Sequence, residues 1–362
     1  MRWIYLAVLG ALIGCQEASQ FQVLDIMDGD SYHNYHLTTR SIDTLSNFRN
    51  MEGDLGTMRV GGLVTGVLTD DIQFQSTKSI HLKGKVIEDT FYPMDRDGVI
   101  ALSFYAHLED IHSFLLDTAL DPEPLFPIKM NINPIVPDPL WDYSNFENAA
   151  YMSSTHHFLI LHDAVEKDVP LAANKGVVGH EFGHGIFHYL TTGNVLNPLP
   201  DYGEGANCMY SLNEGFADMV GFLLTKDPAF IAVSLAMLEE TRSVQNRKTI
   251  EDVASLPTDS YEDSLLRNGY DPYDLGTVFA GMSWDLVESG LSHIEVFNWV
   301  TQALGNLGYR LQNQEIALSN TMCFAWMDEM QAIAPTEASK TVFCDSVNAR
   351  FQDSIVIEGC TQ

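Results

Sequence analysis

Residues 180–184 read His-Glu-Phe-Gly-His, and this spacing constrains the chain more than any other feature. Two histidines four residues apart face the same way only on an α-helix, where positions i and i+4 lie about 6 Å apart along the axis. Both imidazoles then point at one cation. Glu181 lies about 100° round the helix from His180, beside that cation, where its carboxylate can take a proton from a bound water. The stretch Lys175 to Leu190 is therefore expected as a helix carrying a metal site. Its glycines Gly179, Gly183 and Gly185 each weaken helix propensity by about 1 kcal/mol relative to alanine. Close packing beneath the site is the expected reason.

A hydrolytic site of this kind needs a third protein ligand and one open position. The metzincin extension would place a histidine at position 190, which is Leu190. His188 is about two helical turns from His180, too far to join the same cation, and is expected beside the ligands or at the surface. The remaining candidate is Asn213-Glu214-Gly215-Phe216-Ala217-Asp218, on a second expected helix from Leu212 to Leu224. Glu214 and Asp218 are again i and i+4, on one face.

His180-Glu181-x-x-His184 followed by Asn213-Glu214-x-x-Ala217-Asp218 resembles the thermolysin and fungalysin metallopeptidases, the glutamate-zincins. The resemblance implies Zn2+ held by His180, His184 and Glu214, with Glu181 as the catalytic base. It also implies that Asp218 accepts the free ring N–H of His180 and that Asn213 orients His184. Asn148-Ala149-Ala150-Tyr151 is similar to the family's Asn-Ala segment, so Asn148 and Ala149 are expected to hydrogen-bond an extended peptide substrate. Asp271-Pro272-Tyr273-Asp274-Leu275-Gly276, leading to Trp284-Asp285-Leu286, resembles the stretch that carries the family's transition-state histidine. Here the matching residue is Tyr273. A phenol can donate to an oxyanion but cannot carry a histidine's positive charge. The resemblance spans residues 98–290 and implies an endopeptidase acting on peptides or proteins. The tyrosine leaves room for two alternatives: a lipid-anchored metal-binding protein without catalysis, and a metal-dependent hydrolase of non-peptide bonds.

The N-terminus reads as an address. Met1 and Arg2 precede an apolar run from Trp3 to Ile13, then Gly14 and Cys15. One basic residue, a short apolar run and a small residue describe a secretory signal peptide, and a bilayer span needs about 20 residues. Leu12-Ile13-Gly14-Cys15 resembles the lipobox of bacterial lipoproteins, which implies acyl chains on Cys15 and membrane attachment by that anchor alone. Gln16 after the cysteine points to the outer membrane; ordinary secretion is the alternative. With Cys15 set aside, Cys208, Cys323, Cys344 and Cys360 remain for disulfides, with one bridge expected near the C-terminus. Three pairings are possible.

Lys and Arg number 19 against 49 Asp and Glu, a formal net charge of −30. Such a surface repels phosphate backbones, so nucleic acid is excluded as a partner. The oligomeric state is not legible.

Along the chain, residues 1–14 are read as signal peptide and 15–97 as a β-rich region, with strands over Met58–Val67 and Ser79–Val86. Residues 98–210 form the expected catalytic domain, with a helix from Gly98 to Leu116, a proline-rich loop from Asp121 to Pro139 and a strand from Thr155 to Leu161. Residues 211–362 form an expected helical domain that carries the third ligand. Its helices are Thr277–Leu286, His293–Leu304 and Gln314–Met330, and Phe230–Leu238 fits a buried helix. Asp95-Arg96-Asp97-Gly98 hints at a calcium loop, but Pro93 and Phe104 stand where acids are needed, so a turn is expected. His107, His112, His156, His157 and His162 lack metal spacing and are assigned structural or exposed roles. The fold class is α+β, of the thermolysin-like zincin kind, with the active-site helix between a β-rich half and a mostly helical half.

Overall fold

A computed structural model describes residues 18–25, 36–66, 72–138, 141–142, 149–161, 171–197, 200–232, 234, 242–253, 271–352, 357 and 359–360. Cys15 and the residues before it, Asn148 and His162 lie outside the described residues. The chain is mixed α+β, with strands in the N-terminal part and helices in the C-terminal part.

The strands are β1 (Gln20–Asp25), β2 (His36–Arg40), β3 (Glu52–Gly53), β4 (Gly56–Val60), β5 (Leu63–Thr65), β6 (Gln73–Gln75) and β7 (Lys78–Ser79). They continue with β8 (Gly84–Ile87), β9 (Thr90–Pro93), β10 (Ile128–Ile132), β11 (Pro137–Asp138), β12 (Trp141–Asp142), β13 (Ala149–Met152) and β14 (His157–Ile160). One sheet has the order β2-β1-β9-β8; a second runs β13-β14-β10-β4-β3, with β7 also on β4. In β4, Gly56 and Met58 are buried while Thr57 and Arg59 face out, the period of two that a half-covered strand requires. The strand expected over Met58–Val67 is divided, because Gly61 and Gly62 (φ +63° and +93°) turn the chain between β4 and β5. The strand expected over Ser79–Val86 is likewise split between β7 and β8.

The loop expected from Asp121 to Pro139 is corrected more sharply. It contains β10, the central strand of the larger sheet, parallel to both β4 and β14. Ile128, Met130, Asn131 and Ile132 are all buried. The run Ile-Lys-Met-Asn-Ile does alternate, with Lys129 exposed, but it is only five residues long and lies between Pro127 and Pro134, so the turn signals of the flanking prolines masked it.

The helices are α1 (Arg96–Leu116), α2 (Lys175–Thr192), α3 (Ala206–Thr225), α4 (Pro272–Glu288), α5 (His293–Gln312), α6 (Ala325–Ala332) and α7 (Glu337–Phe351). Asp95 caps α1 by accepting the Gly98 N–H at 2.8 Å, so that segment starts a helix. Asn174 caps α2 through the N–H groups of Gly176 and Val177, and Gly193 ends it in the left-handed conformation (φ +75°). The helix expected over Gln314–Met330 is corrected to the short α6, because Gln314 leaves helical geometry at φ +56° just after α5. Of Phe230–Leu238, residues 230–232 form turns and most of the rest lies outside the described residues.

One apolar core runs from Phe21 to Cys360 and joins strands to helices. Cys208–Cys323 ties the first turn of α3 to the turn before α6; Cys344–Cys360 is the bridge local to the C-terminus. Arg350 on α7 grips Asp285 on α4 at 2.6 and 2.7 Å. No described helix is long and apolar enough to cross a membrane.

Candidate metal centre

Helices α2 and α3 pack unusually close. A Cβ added to Gly183 would lie 2.8 Å from the Ala217 Cα, so only glycine fits opposite that residue. This approach brings the two motif segments face to face. Glu214 Oε2 lies 3.5 Å from Nε2 of His180 and 3.8 Å from Nε2 of His184. One ligand atom from each of the three residues falls within 4.8 Å of the others. His180 and Glu214 are buried, each about 5% exposed.

Each histidine is held from behind. His180 Nδ1 sits 2.9 Å from Asp218 Oδ1, and His184 Nδ1 sits 3.0 Å from Asn213 Oδ1. Both contacts leave Nε2 turned toward Glu214 and select the tautomer with its lone pair there. Asp218 is in turn gripped by Arg242, through Nη2 to Oδ1 and through Nε to Oδ2 at 3.4 Å. The Arg242 guanidinium also lies over the Tyr273 ring, 4.3 Å from its centroid. Glu181 Oε2 accepts the backbone N–H of Tyr151 on β13 at 3.0 Å.

Burial dominates the electrostatics. It pushes His184 down to about 3, with help from His180, and it lowers His180 against the pull of Asp218. Both imidazoles are thus neutral at pH 7, the state a metal ligand requires. Burial pushes Glu214 up to about 8 and, reinforced by Glu214, pushes Glu181 well above the carboxylate range. Asp218 is buried too, but Arg242 and His180 hold it below the usual value. Tyr273, about 38% exposed, is raised chiefly by the neighbouring Glu214 charge.

These residues fit a divalent cation on three grounds. The buried Glu214 Oε2 has no hydrogen-bond partner, although it faces two imidazole nitrogens. Ligands of a tetrahedral zinc, at about 2.0–2.1 Å from it, stand about 3.4 Å from one another, close to the 3.5 and 3.8 Å between Glu214 Oε2 and the two imidazole nitrogens. Finally, burial raises both Glu181 and Glu214 above the carboxylate range, and a dication would offset that penalty: once ionised, the two carboxylates supply the two negative charges that balance it, while Asp218 stays paired with Arg242.

The structure thus brings together His180, His184, Glu214, Glu181, Asp218, Asn213 and Tyr273, and it places Ala149 on β13 beside Tyr151. His188 is corrected from a surface or neighbouring role: it is buried, with Nε2 2.7 Å from the Asn197 carbonyl. Arg242 and Tyr151 were missed. Arg242 stands four residues beyond the Phe230–Leu238 run, has helical backbone and meets Asp218 only through the fold; Tyr151 acts through a backbone N–H, which no side-chain motif reports. No protein-family model and no curated protein sequence matches the chain.

Proposed function

We propose that the chain is a zinc-dependent endopeptidase of the thermolysin-like kind. The observation that carries this reading is the buried, unpartnered Glu214 oxygen facing two neutral imidazoles, with the Glu181 carboxylate on the same helix. His180, His184 and Glu214 would hold the metal. When bound, zinc lowers the pKa of a coordinated water toward about 7 and polarises a carbonyl.

The remaining work falls to side chains and backbone. Glu181, steadied by the Tyr151 N–H, takes the proton of the attacking water and returns it to the nitrogen of the leaving amine. Asp218 and Asn213 keep both Nε2 atoms facing the centre. Arg242 fixes Asp218 and supports the Tyr273 ring, whose hydroxyl is the candidate donor to the developing oxyanion. β13 is the terminal strand of its sheet and lies beside Glu181, where an extended peptide would add as a further strand. We place the protein at the cell envelope through a lipid on Cys15; Cys15→Ser should abolish incorporation of labelled fatty acid.

The deciding experiment is Glu181→Gln. It should keep stoichiometric zinc by elemental analysis and lose at least about 1000-fold in cleavage of a peptide library. Retained turnover would refute the reading. The closeness of Tyr273 to the Glu214 charge favours a second reading, in which the phenol supports that carboxylate and the protein binds metal without turnover. Wild-type protein with full zinc and no chelator-sensitive cleavage of any peptide would decide for it.

A further inference from the structure

His156 stands in a position that motif reading does not explain. It is buried, it follows β13, and it holds a left-handed backbone (φ +52°) that costs a side-chain-bearing residue some strain. Both ring nitrogens are engaged. Nε2 lies 3.1 Å from the Leu125 carbonyl, and Nδ1 lies 2.7 Å from the Tyr151 hydroxyl. A carbonyl only accepts, so the ring proton sits on Nε2 and Nδ1 accepts the tyrosine's O–H.

Tyr151 links this ring to the metal centre in two ways. Its ring lies against the active-site helix, where a Cβ on Gly185 would meet it at 3.2–3.4 Å. Its backbone N–H holds Glu181 Oε2 at 3.0 Å. The path from Leu125 through His156 and Tyr151 therefore ends on the carboxylate to which the proposed reaction assigns the proton transfer.

We propose that His156 is a positioning residue: it anchors the Tyr151 hydroxyl, and Tyr151 in turn sets the place of the Glu181 carboxylate relative to the metal ligands. The role rests on the endopeptidase reading for its catalytic consequence, but the linkage itself does not. Burial keeps the ring neutral at working pH, down to about 4, so the acceptor at Nδ1 persists.

Three variants test it. Tyr151→Phe removes the hydroxyl and keeps the ring packed on Gly185. His156→Gly removes the imidazole and tolerates the left-handed backbone. His156→Asn keeps both that backbone preference and an acceptor at the Nδ1 position. In full-length protein with zinc bound, Tyr151→Phe and His156→Gly should each lower kcat roughly 10–100-fold, with KM changing less than about threefold and zinc content unchanged. The double variant should lose no more than the worse single one, and His156→Asn should recover most of the rate. Hydrogen–deuterium exchange gives a readout independent of turnover: residues 149–153 should lose protection in both single variants while residues 175–192 do not. Additive losses, a rise in KM at constant kcat, or unchanged exchange over 149–153 would overturn the proposal. If the wild type cleaves no peptide, the endopeptidase reading fails, and the exchange measurement still decides the linkage.

Discussion

Gly183 carries the closest contact between the two motif helices, and Gly183→Ala turns that contact into a measurement. The new methyl would sit 2.8 Å from the Ala217 Cα and 3.3 Å from both the Ala217 and Val220 Cβ atoms, where ordinary contact begins at 3.4 Å. The shortest of these is to backbone, so no side chain can rotate away; α2 and α3 must separate by about 0.6 Å, the difference between 3.4 and 2.8 Å. Glu214 is three residues from Ala217 on the same helix and moves with it. If the shift is fully transmitted, its separations from the two Nε2 atoms grow from 3.5 and 3.8 Å to about 4.1 and 4.4 Å, when tetrahedral zinc needs about 3.4 Å. Overpacking costs about 1–3 kcal/mol, and alanine returns about 1 kcal/mol of helix propensity, so the net loss of stability should be about 0–2 kcal/mol. Zinc affinity should fall about 10–100-fold, the size of effect seen when ligand orientation is disturbed. Competition against a chromogenic chelator at pH 7.5 measures that affinity, and urea unfolding of the metal-free protein measures the stability. Gly305→Ala on α5, where the nearest atom is the Leu190 Cδ2 at 3.9 Å, is the control and should leave affinity unchanged. Wild-type zinc affinity in Gly183→Ala would refute the claim that this close approach builds the site.

Three further outcomes follow from the same structure. Burial holds His156 at about 4 against 6.5 in an unfolded chain. The unfolded state therefore protonates first as pH falls; the stabilisation is complete above pH 6.5 and is lost on the way down to pH 4, by up to about 3 kcal/mol. His156→Asn should flatten this loss in urea midpoints taken between pH 7 and 4.5, and an identical slope in both proteins would count against it. Arg350→Ala strands Asp285 in a mostly buried pair and should cost about 3–5 kcal/mol with zinc affinity unchanged; a weakened metal site would show instead that Asp285 acts on the centre. Opening Cys208–Cys323, 115 residues apart, should cost about 5 kcal/mol in chain entropy, against about 3 for Cys344–Cys360, 16 residues apart. Paired Cys→Ser variants compared by thermal unfolding test the ranking, and a larger loss at Cys344–Cys360 would reverse it.

What could be read in advance was what helical periodicity carries. His180 and His184, like Glu214 and Asp218, are one turn apart, so once each segment is helical its facing groups follow from spacing alone. The glycines of α2 raised the right question, and Gly183 answers it with the Ala217 backbone. β10 was hidden for the opposite reason. Its five residues alternate between Ile128, Met130 and Ile132 on one face and Lys129 and Asn131 on the other, too short a run to stand out among six prolines, and its partners β4 and β14 are set by the fold and not by a neighbouring turn. The split of Met58–Val67 turns on Gly61 and Gly62, two left-handed glycines between runs with β-branched residues; a third, Gly66, follows β5.

The same division separates the candidate ligands, with Asp218 and Asn213 beside them in the motifs, from the groups that support them from further away. Ligands must converge on one point, and a helix enforces that locally, so their spacing is written in short motifs. Supporting groups need only reach the back of a ligand, from whatever element passes there. Arg242, itself in helical geometry, comes from outside both motifs to grip Asp218, and Tyr151 offers a backbone N–H from the end of a sheet. Neither leaves a pattern in sequence, yet each fixes a group whose displacement by an ångström changes what the centre can bind or do. A search for Arg242-like residues should therefore begin from buried carboxylates such as Asp218, which cannot stay ionised without a partner, and look for the cation that the fold must bring to them.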